Sequence, residues 1–210
     1  MRGTSAGLPE HKACVEDDIA LMTDPSDESL MSLFQRGDEQ AYALLVQRYK
    51  DELTNFARRF LGDRDEAEDV VQETFVRVWR SRDTYTPASR FSTWVYAIAS
   101  NLAKTRLRRW SLRRFVRLGE PQGGGTVFDL PDESAGPDGA AEDTFREERI
   151  QQALKSLPVK FREVIVLRDI QQLSYEEIVA ITGSAMGTVK SRINRARALL
   201  RDQLRDLIRD

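Results

Sequence analysis

Residues 173–201 read LSYEEIVAITGSAMGTVKSRINRARALLR. Apolar positions recur here every three or four residues, the period of a helix with one buried face. Ser174-Tyr175-Glu176-Glu177 fits a capping box. The Ser174 hydroxyl would accept from the third helical N–H, and the Glu177 carboxylate would reach back to the cap's own N–H. Ile178, Val179 and Ile181 are the inward positions of that helix, and Gly183 ends it in a tight turn. Ser184 is expected to cap a second helix, with Met186, Val189, Ile193, Ala196, Leu199 and Leu200 facing inward. The other face carries Lys190, Arg192, Arg195, Arg197 and Arg201 and no acid.

Two helices joined by a short glycine turn, the second strongly basic, form a helix-turn-helix whose second helix enters the major groove. Thr188, Lys190, Ser191, Asn194 and Arg195 would then reach bases or phosphates. Arginine reads guanine with two hydrogen bonds, and asparagine reads adenine the same way. Just upstream, Ile150, Ala153, Leu154 and Leu157 make one short apolar stripe ended by Pro158. Phe161, Val164, Ile165 and Leu167 make the next.

The N-terminal half shows the same period and almost no two-residue alternation. Leu30, Leu33 and Phe34 begin a stripe, and Ala41, Leu44, Leu45 and Tyr49 continue it after Gly37. Leu53, Phe56, Ala57, Phe60 and Leu61 follow, with Gly62 as a stop. A further helix starts near Asp63–Asp65, its acidic first turns suiting the positive end of the helix dipole. Ala67, Val70, Val71, Phe75, Val78 and Trp79 are its inward stripe. Asp69, Gln72, Glu73 and Val76 lie opposite, either as a solvated face or as a partner surface.

Pro87 interrupts the chain before a helix expected from about Phe91 to Trp110, capped by Ser92, Thr93 or a neighbour. Trp94, Tyr96 and Asn101 sit in its first half. From Asn101 to Arg117 come seven cations (Lys104, Arg106, Arg108, Arg109, Arg113, Arg114 and Arg117) and no acid. Aromatic rings followed by cations suit single-stranded nucleic acid, because bases stack on rings while cations follow phosphates. The competing reading is a buried aromatic anchor beside a solvated basic face.

The 210-residue chain has a net charge of −2, which hides a segregation. Residues 1–27 carry 2 basic and 6 acidic side chains, and residues 28–117 carry 17 and 12. Residues 118–148 carry 1 and 9, and residues 149–210 carry 12 and 7. Residues 118–148 also hold six of the chain's 12 glycines and three of its 7 prolines. Such a stretch buries too little apolar surface to offset its ordering entropy. The expected architecture is therefore all-α. An N-terminal tail over 1–27 precedes a helical domain over 28–117. A flexible acidic Gly/Pro-rich linker over 118–148 joins it to a helix-turn-helix domain over 149–210.

Composition excludes several function classes. One cysteine (Cys14) and one histidine (His11) allow neither an intramolecular disulfide nor a Cys/His zinc site. Gly123-Gly124-Gly125 lacks the lysine and hydroxyl of a phosphate loop. No stretch approaches the roughly 20 apolar residues of a membrane helix, and the N-terminus lacks the apolar core of a signal peptide. The expectation is a cytoplasmic protein that is not an enzyme, needs no cofactor and does not insert into a membrane. Met22, just before the patterned region, is a candidate alternative start.

The motifs together resemble a known family. Leu173–Ile178 followed by Gly187–Ile193 and Arg195-Ala196-Arg197 looks like region four of sigma-70-family factors. Glu66–Phe75 looks like region 2.2, and Phe91–Asn101 looks like regions 2.3 to 2.4. Two such domains without a middle one resemble the extracytoplasmic-function (group IV) sigma factors. The resemblance implies a factor that binds core RNA polymerase, recognises the minus-thirty-five and minus-ten promoter elements and promotes promoter opening. It places Asp69, Gln72 and Glu73 on the polymerase clamp helices. It places Trp94, Tyr96, Asn101, Lys104, Arg106, Arg108 and Arg109 at the minus-ten element, with Asn101 at the position that captures a flipped non-template base. Thr188, Lys190, Ser191, Arg192, Asn194, Arg195 and Arg197 would face the minus-thirty-five duplex. It also implies an anti-sigma factor as a partner. The linker would follow the RNA-exit path, with Asp129, Asp132 and Glu133 imitating a polyanion. Asn194 falls where the family varies, so the promoter sequence does not carry over. A stand-alone helix-turn-helix regulator is the alternative. It accounts for residues 174–205 and leaves the aromatic-basic helix without a role.

Overall fold

The computed structural model describes residues 25–118, 140–205 and 207; all secondary structure among them is helical. His11, Cys14, Met22, Asp129, Asp132 and Glu133 lie outside the described residues. Four helices make the N-terminal half: α1 (Asp27–Gln35), α2 (Glu39–Leu61), α3 (Arg64–Arg80) and α4 (Phe91–Leu118), with a 3₁₀ turn at Arg82–Thr84. The C-terminal half holds α5 (Ala140–Ser156), α6 (Val159–Ile165), a π turn at Val166–Ile170, α7 (Tyr175–Thr182) and α8 (Met186–Gln203). Helix α5 begins inside the stretch whose composition reads as linker.

Local chemistry sets the helix ends. Asp38 caps α2 by accepting from the Gln40 and Ala41 amides, and Asp63 caps α3 by accepting from Glu66. Gly62 stops α2 in the left-handed region (φ 76°), its N–H donating to the Arg58 carbonyl. The start of α4 is held differently from expectation. The Phe91 amide donates to the Glu28 side chain at 3.2 Å, so α1 supplies the acceptor in place of Ser92 or Thr93.

Helices α1 to α4 pack through the expected stripes. Leu30, Leu33, Phe34, Leu45, Leu53, Phe56, Phe60, Val70, Val71, Phe75, Val78, Phe91 and Val95 are buried. Each large apolar side chain removed from water contributes about 1.5–3 kcal/mol. In the C-terminal half Ala153, Leu154, Leu157, Val164, Ile165, Leu167, Ile178, Ile181, Val189, Ile193 and Ala196 are buried. Two inward expectations fail: Ile150 is 38% exposed and Leu199 39%. Helices α5 and α8 flank the small C-terminal core, so the outer edges of their stripes reach solvent.

The two halves do not hang apart. Helix α4 packs on α7, and α2 packs on α5 and the π turn, which gives one continuous apolar cluster. At the seam the Arg162 guanidinium, 1% exposed, donates to the Phe60 carbonyl of α2 (2.8 Å) and to the Lys155 and Leu157 carbonyls. Burial lowers the pKa of this guanidinium to about 10. Gln151 donates to the Arg59 carbonyl nearby (3.1 Å).

Candidate nucleic-acid and polymerase interfaces

Helix α8 rests on Val189, Ile193 and Ala196, which point its remaining faces outward. Thr188, Lys190, Ser191, Asn194, Arg195 and Arg197 are exposed, and Arg192 is half-buried. Helix α7 holds it in place. The capping box forms in full, with Glu177 N–H donating to Ser174 Oγ (3.1 Å) and Ser174 N–H donating to Glu177 Oε2 (2.8 Å). Gly183 ends α7 in the left-handed region (φ 65°). Ser184 does not cap α8. The helix begins at Met186 after Ala185, and the Ser184 hydroxyl instead accepts from Arg192 (3.0 Å).

The basic side chains of α8 differ in availability. Arg197 is clamped by Asp169 through two hydrogen bonds, Nε to Oδ2 at 2.9 Å and Nη2 to Oδ1 at 2.5 Å. That hydrogen bonding raises the Arg197 pKa. Lys190 sits over the Tyr175 ring at 5.7 Å. Arg195, Thr188, Ser191 and Arg192 line an open groove of about 280 Å³ together with Lys160 and Phe161. The sequence reading missed Lys160; its place at the start of α6, after Pro158, put it outside the helix-turn-helix pattern.

Helix α4 is shared among several neighbours. Trp94 is half-buried, packed on Tyr85 and Phe91 with ring centroids at 5.2 and 6.1 Å. Tyr96 is buried, its ring edge-on to Phe56 and its hydroxyl donating to Gln171 Oε1 at 2.7 Å. Burial, and then the Glu52 carboxylate, push its phenol pKa up. Asn101, Arg108 and Arg109 are exposed. Lys104 is engaged by Glu163 of α6 (2.9 Å), which also accepts from Ser100 (2.6 Å). Arg106 reaches across to α3, pairing with Glu66 at 2.9 Å and Asp69 at 3.5 Å. Trp110 Nε1 donates to the same Glu66 (3.3 Å). Ser100, Glu163, Gln171 and Trp110 were not singled out from sequence. Each is a polar or aromatic group at a tertiary contact, which periodicity cannot register.

On α3, Asp69 and Gln72 are exposed and Glu73 is half-buried. Their spacing puts them on one helix face with Val76, which is 40% exposed. Glu73 pairs with Arg77 one turn on (3.0 Å). Asp69 and Arg106, expected at different partners, are in contact with each other.

Two exposed basic helices and one acidic face define a DNA-binding protein of two linked helical parts. The family description "Sigma-70 region 2" matches residues 45–113, and "Sigma-70, region 4" matches residues 147–200. The chain is 38% identical over 175 residues to the ECF RNA polymerase sigma factor SigW of Bacillus subtilis, covering 82% of this chain and 94% of the relative. It is 39% identical over 187 residues to the ECF RNA polymerase sigma factor SigE of Mycolicibacterium smegmatis, covering 86% and 70%. Among solved structures it resembles CnrH in complex with the cytosolic domain of CnrY (TM-score 0.64, 27% identity, 87% and 99% covered). It also resembles the sigma factor RpoE in complex with the anti-sigma factor NepR from Bartonella quintana (TM-score 0.61, 27% identity, 78% and 96% covered). The chain belongs to the extracytoplasmic-function sigma factors of the sigma-70 family, and its function is promoter recognition for transcription initiation. A stand-alone regulator leaves the region 2 match unexplained and is not favoured. No helix among the described residues is long and apolar enough to cross a membrane.

Proposed function

We propose that this chain binds core RNA polymerase through the α3 face of Asp69, Gln72 and Glu73. Helix α4 then holds the non-template strand of the minus-ten element, with Asn101 taking a flipped base and Arg108 and Arg109 following the phosphates. Trp94, Tyr96, Lys104 and Arg106 complete that surface once their present partners release them. Helix α8 reads the minus-thirty-five duplex through Thr188, Lys190, Ser191, Asn194 and Arg195, with Arg192 and Arg197 at its margins. Residues 28–117 and 149–210 act as the two working domains, joined by the acidic stretch 118–148. The chain works in the cytoplasm as a non-enzymatic factor without a cofactor. An anti-sigma factor restrains it, by analogy with the solved complex of the sigma factor RpoE and the anti-sigma factor NepR.

The observation that carries this reading is the pair of outward helix faces. Asn101, Arg108 and Arg109 lie on one, and Thr188, Ser191, Asn194 and Arg195 lie on the other. Extruding a base costs a few kcal/mol, offset by a pocket that holds it. The test is run-off transcription with bacterial core polymerase on a promoter library, with wild type and Asn101→Ala. Wild type is expected to select a defined set of promoters. Asn101→Ala is expected to lower open-complex formation about tenfold, a loss of roughly 1.4 kcal/mol in pocket contacts, with polymerase affinity unchanged. Equal loss of both activities would remove Asn101 from base capture. Silence of the wild type would remove the function as a whole.

A further inference from the structure

The groove beside α8 has two walls. Thr188, Ser191, Arg192 and Arg195 form one, and Lys160 and Phe161 of α6 form the other. Among the described residues no acid lines it. Arg192 is turned toward Ser184, whereas Arg195 is exposed. Lys160 is exposed too, with its ammonium over the Phe161 ring at 5.3 Å, and among the described residues no carboxylate pairs with it. The ring attracts the ammonium, whose outward N–H groups can still donate. Helix α6 itself is fixed by its buried residues Arg162 to Ile165, so the cation is carried on a set support. Gly187, the second residue of α8, lines the same groove. It is not among the glycines with positive φ, and a Cβ added to it would meet nothing within 4 Å. Neither the turn nor the packing therefore asks for glycine there, although glycine in a helix is less favourable than alanine.

We propose that this groove is a slot for one sugar-phosphate strand of duplex DNA, in which Lys160 is a positioning residue that holds a phosphate and Gly187 lets the strand come close. The inference rests on the reading of α8 as the duplex reader given above, and adds what sets the depth and register of that helix. Phosphate contacts fix register and orientation, while base contacts carry the sequence. A helix gripped along one wall only is free to roll about its axis in the major groove. A cation supplied by a second helix across the groove removes that freedom. A compact ammonium serves a phosphate as a point charge, without the two-pronged geometry that base reading needs. The absent side chain at Gly187 keeps the slot open beside Thr188, at the first turn of α8.

The experiment titrates the full chain into a fluorescein-labelled duplex pool of random sequence, about two helical turns long, and reads anisotropy from about 50 to 200 mM potassium chloride. A backbone contact acts on every sequence, so a random pool reports it. Lys160→Ala is expected to weaken binding about fivefold at the low-salt end and to make the salt slope smaller by about one, with Lys160→Arg restoring both. Lys50→Ala, the same change at an exposed lysine on α2, is expected to leave both unchanged. Gly187→Ala is expected to weaken binding about threefold with the slope kept, while its thermal midpoint rises by about 1–3 °C. A variant that is more stable and binds less has lost space for its ligand, which partial unfolding does not imitate. An unchanged slope for Lys160→Ala, an equal loss for Lys50→Ala, or wild-type binding by Gly187→Ala would each overturn the proposal. If thermal unfolding shows Lys160→Ala to be misfolded, Lys160→Gln replaces it with the same expected and refuting results. Arg195→Ala in the same titration separates the two readings. If it binds less and Lys160→Ala does not, only the slot fails. If it binds as wild type does, the duplex reading of α8 fails and the slot falls with it.

Discussion

Helices α4 and α8 are both basic, both long and both proposed to meet DNA, yet the structure treats them differently. On α8 the cations and small polar groups stand outward over a buried spine of Val189, Ile193 and Ala196. On α4 the polar groups are divided: Asn101, Arg108 and Arg109 are exposed, while Tyr96, Ser100 and Lys104 are held by the C-terminal half and Arg106 by α3. A duplex reader needs only a rigid helix face, which a small helix-turn-helix supplies alone. The proposed strand-binding helix is different: Tyr96, Ser100 and Lys104 have their donors satisfied inside the protein, while Arg108 and Arg109 stay exposed. Charge along a helix therefore marks a candidate interface, and the contacts made by each charge decide when it is available.

The strongest way to break this comparison is to remove the most deeply buried charged side chain at the seam between the halves. Arg162→Ala leaves the carbonyls of Phe60, Lys155 and Leu157 without their donor in a buried seam. Each buried acceptor so orphaned costs about 1–3 kcal/mol, so a total loss of about 3 kcal/mol is expected after relaxation. Urea unfolding of the full chain checks it. A loss below about 0.5 kcal/mol, the range of ordinary surface changes, would mean the seam contributes little and α4 is no more restrained than α8.

The next effect lies within α8 itself. Arg195 is exposed and lines the groove, whereas Arg197 is held by two hydrogen bonds to Asp169. Arg195→Ala is expected to weaken minus-thirty-five duplex binding by about 1–3 kcal/mol and to relax preference at one base position. Arg197→Ala is expected to change base preference nowhere, because its guanidinium is committed within the protein. Titrating the polymerase-bound protein with promoter variants separates the two. A loss for Arg195→Ala that is uniform over all variants would make it a phosphate contact, visible as a salt slope smaller by about one.

Much of this was legible in the sequence, and the illegible part has a common cause. The capping box of Ser174 and Glu177, the stops at Gly62 and Gly183 and the stripes of α2, α3 and α7 are local. Each is fixed by spacing within a turn or two. So is the outward face of α8. What could not be read were long-range polar contacts. Glu163 and Arg162 look like surface charges on a short helix, and only the packing of α6 against α2 and α4 buries them. The same holds for Glu28 at the start of α4, 63 residues away in sequence. Ser184 is not the cap because α8 begins one residue later, after Ala185, and its hydroxyl accepts from Arg192, two turns along α8. The split of α4 into an exposed and an engaged stripe follows from those contacts, and for that reason the candidate minus-ten residues read as one set in the sequence and as two in the structure.

The smallest effect concerns a side chain that touches both parts of this comparison. Glu177 completes the capping box that steadies α7 beneath α8, and it also pairs with Arg90 at the start of α4. Burial alone would raise its pKa. The hydrogen bonds from Ser174 and the attraction of Arg90 outweigh that and hold the carboxyl below its ordinary value of 4.5. A carboxylate with a depressed pKa contributes stability that is present above its unfolded value and lost as pH falls through the folded one. Glu177→Gln keeps a capping side chain but cannot titrate. Wild type is therefore expected to be the more stable at pH 7, by about 0.5–1 kcal/mol, with the difference closing as pH drops below about 4.5. Urea unfolding of both proteins from pH 7 to pH 3 gives the curve. A difference that stays constant over that range would show that the Glu177 charge contributes nothing to either helix. The cap would then rest on shape and hydrogen-bond geometry alone, and the polar link from the C-terminal half to α4 would reduce to the Glu163 and Gln171 contacts.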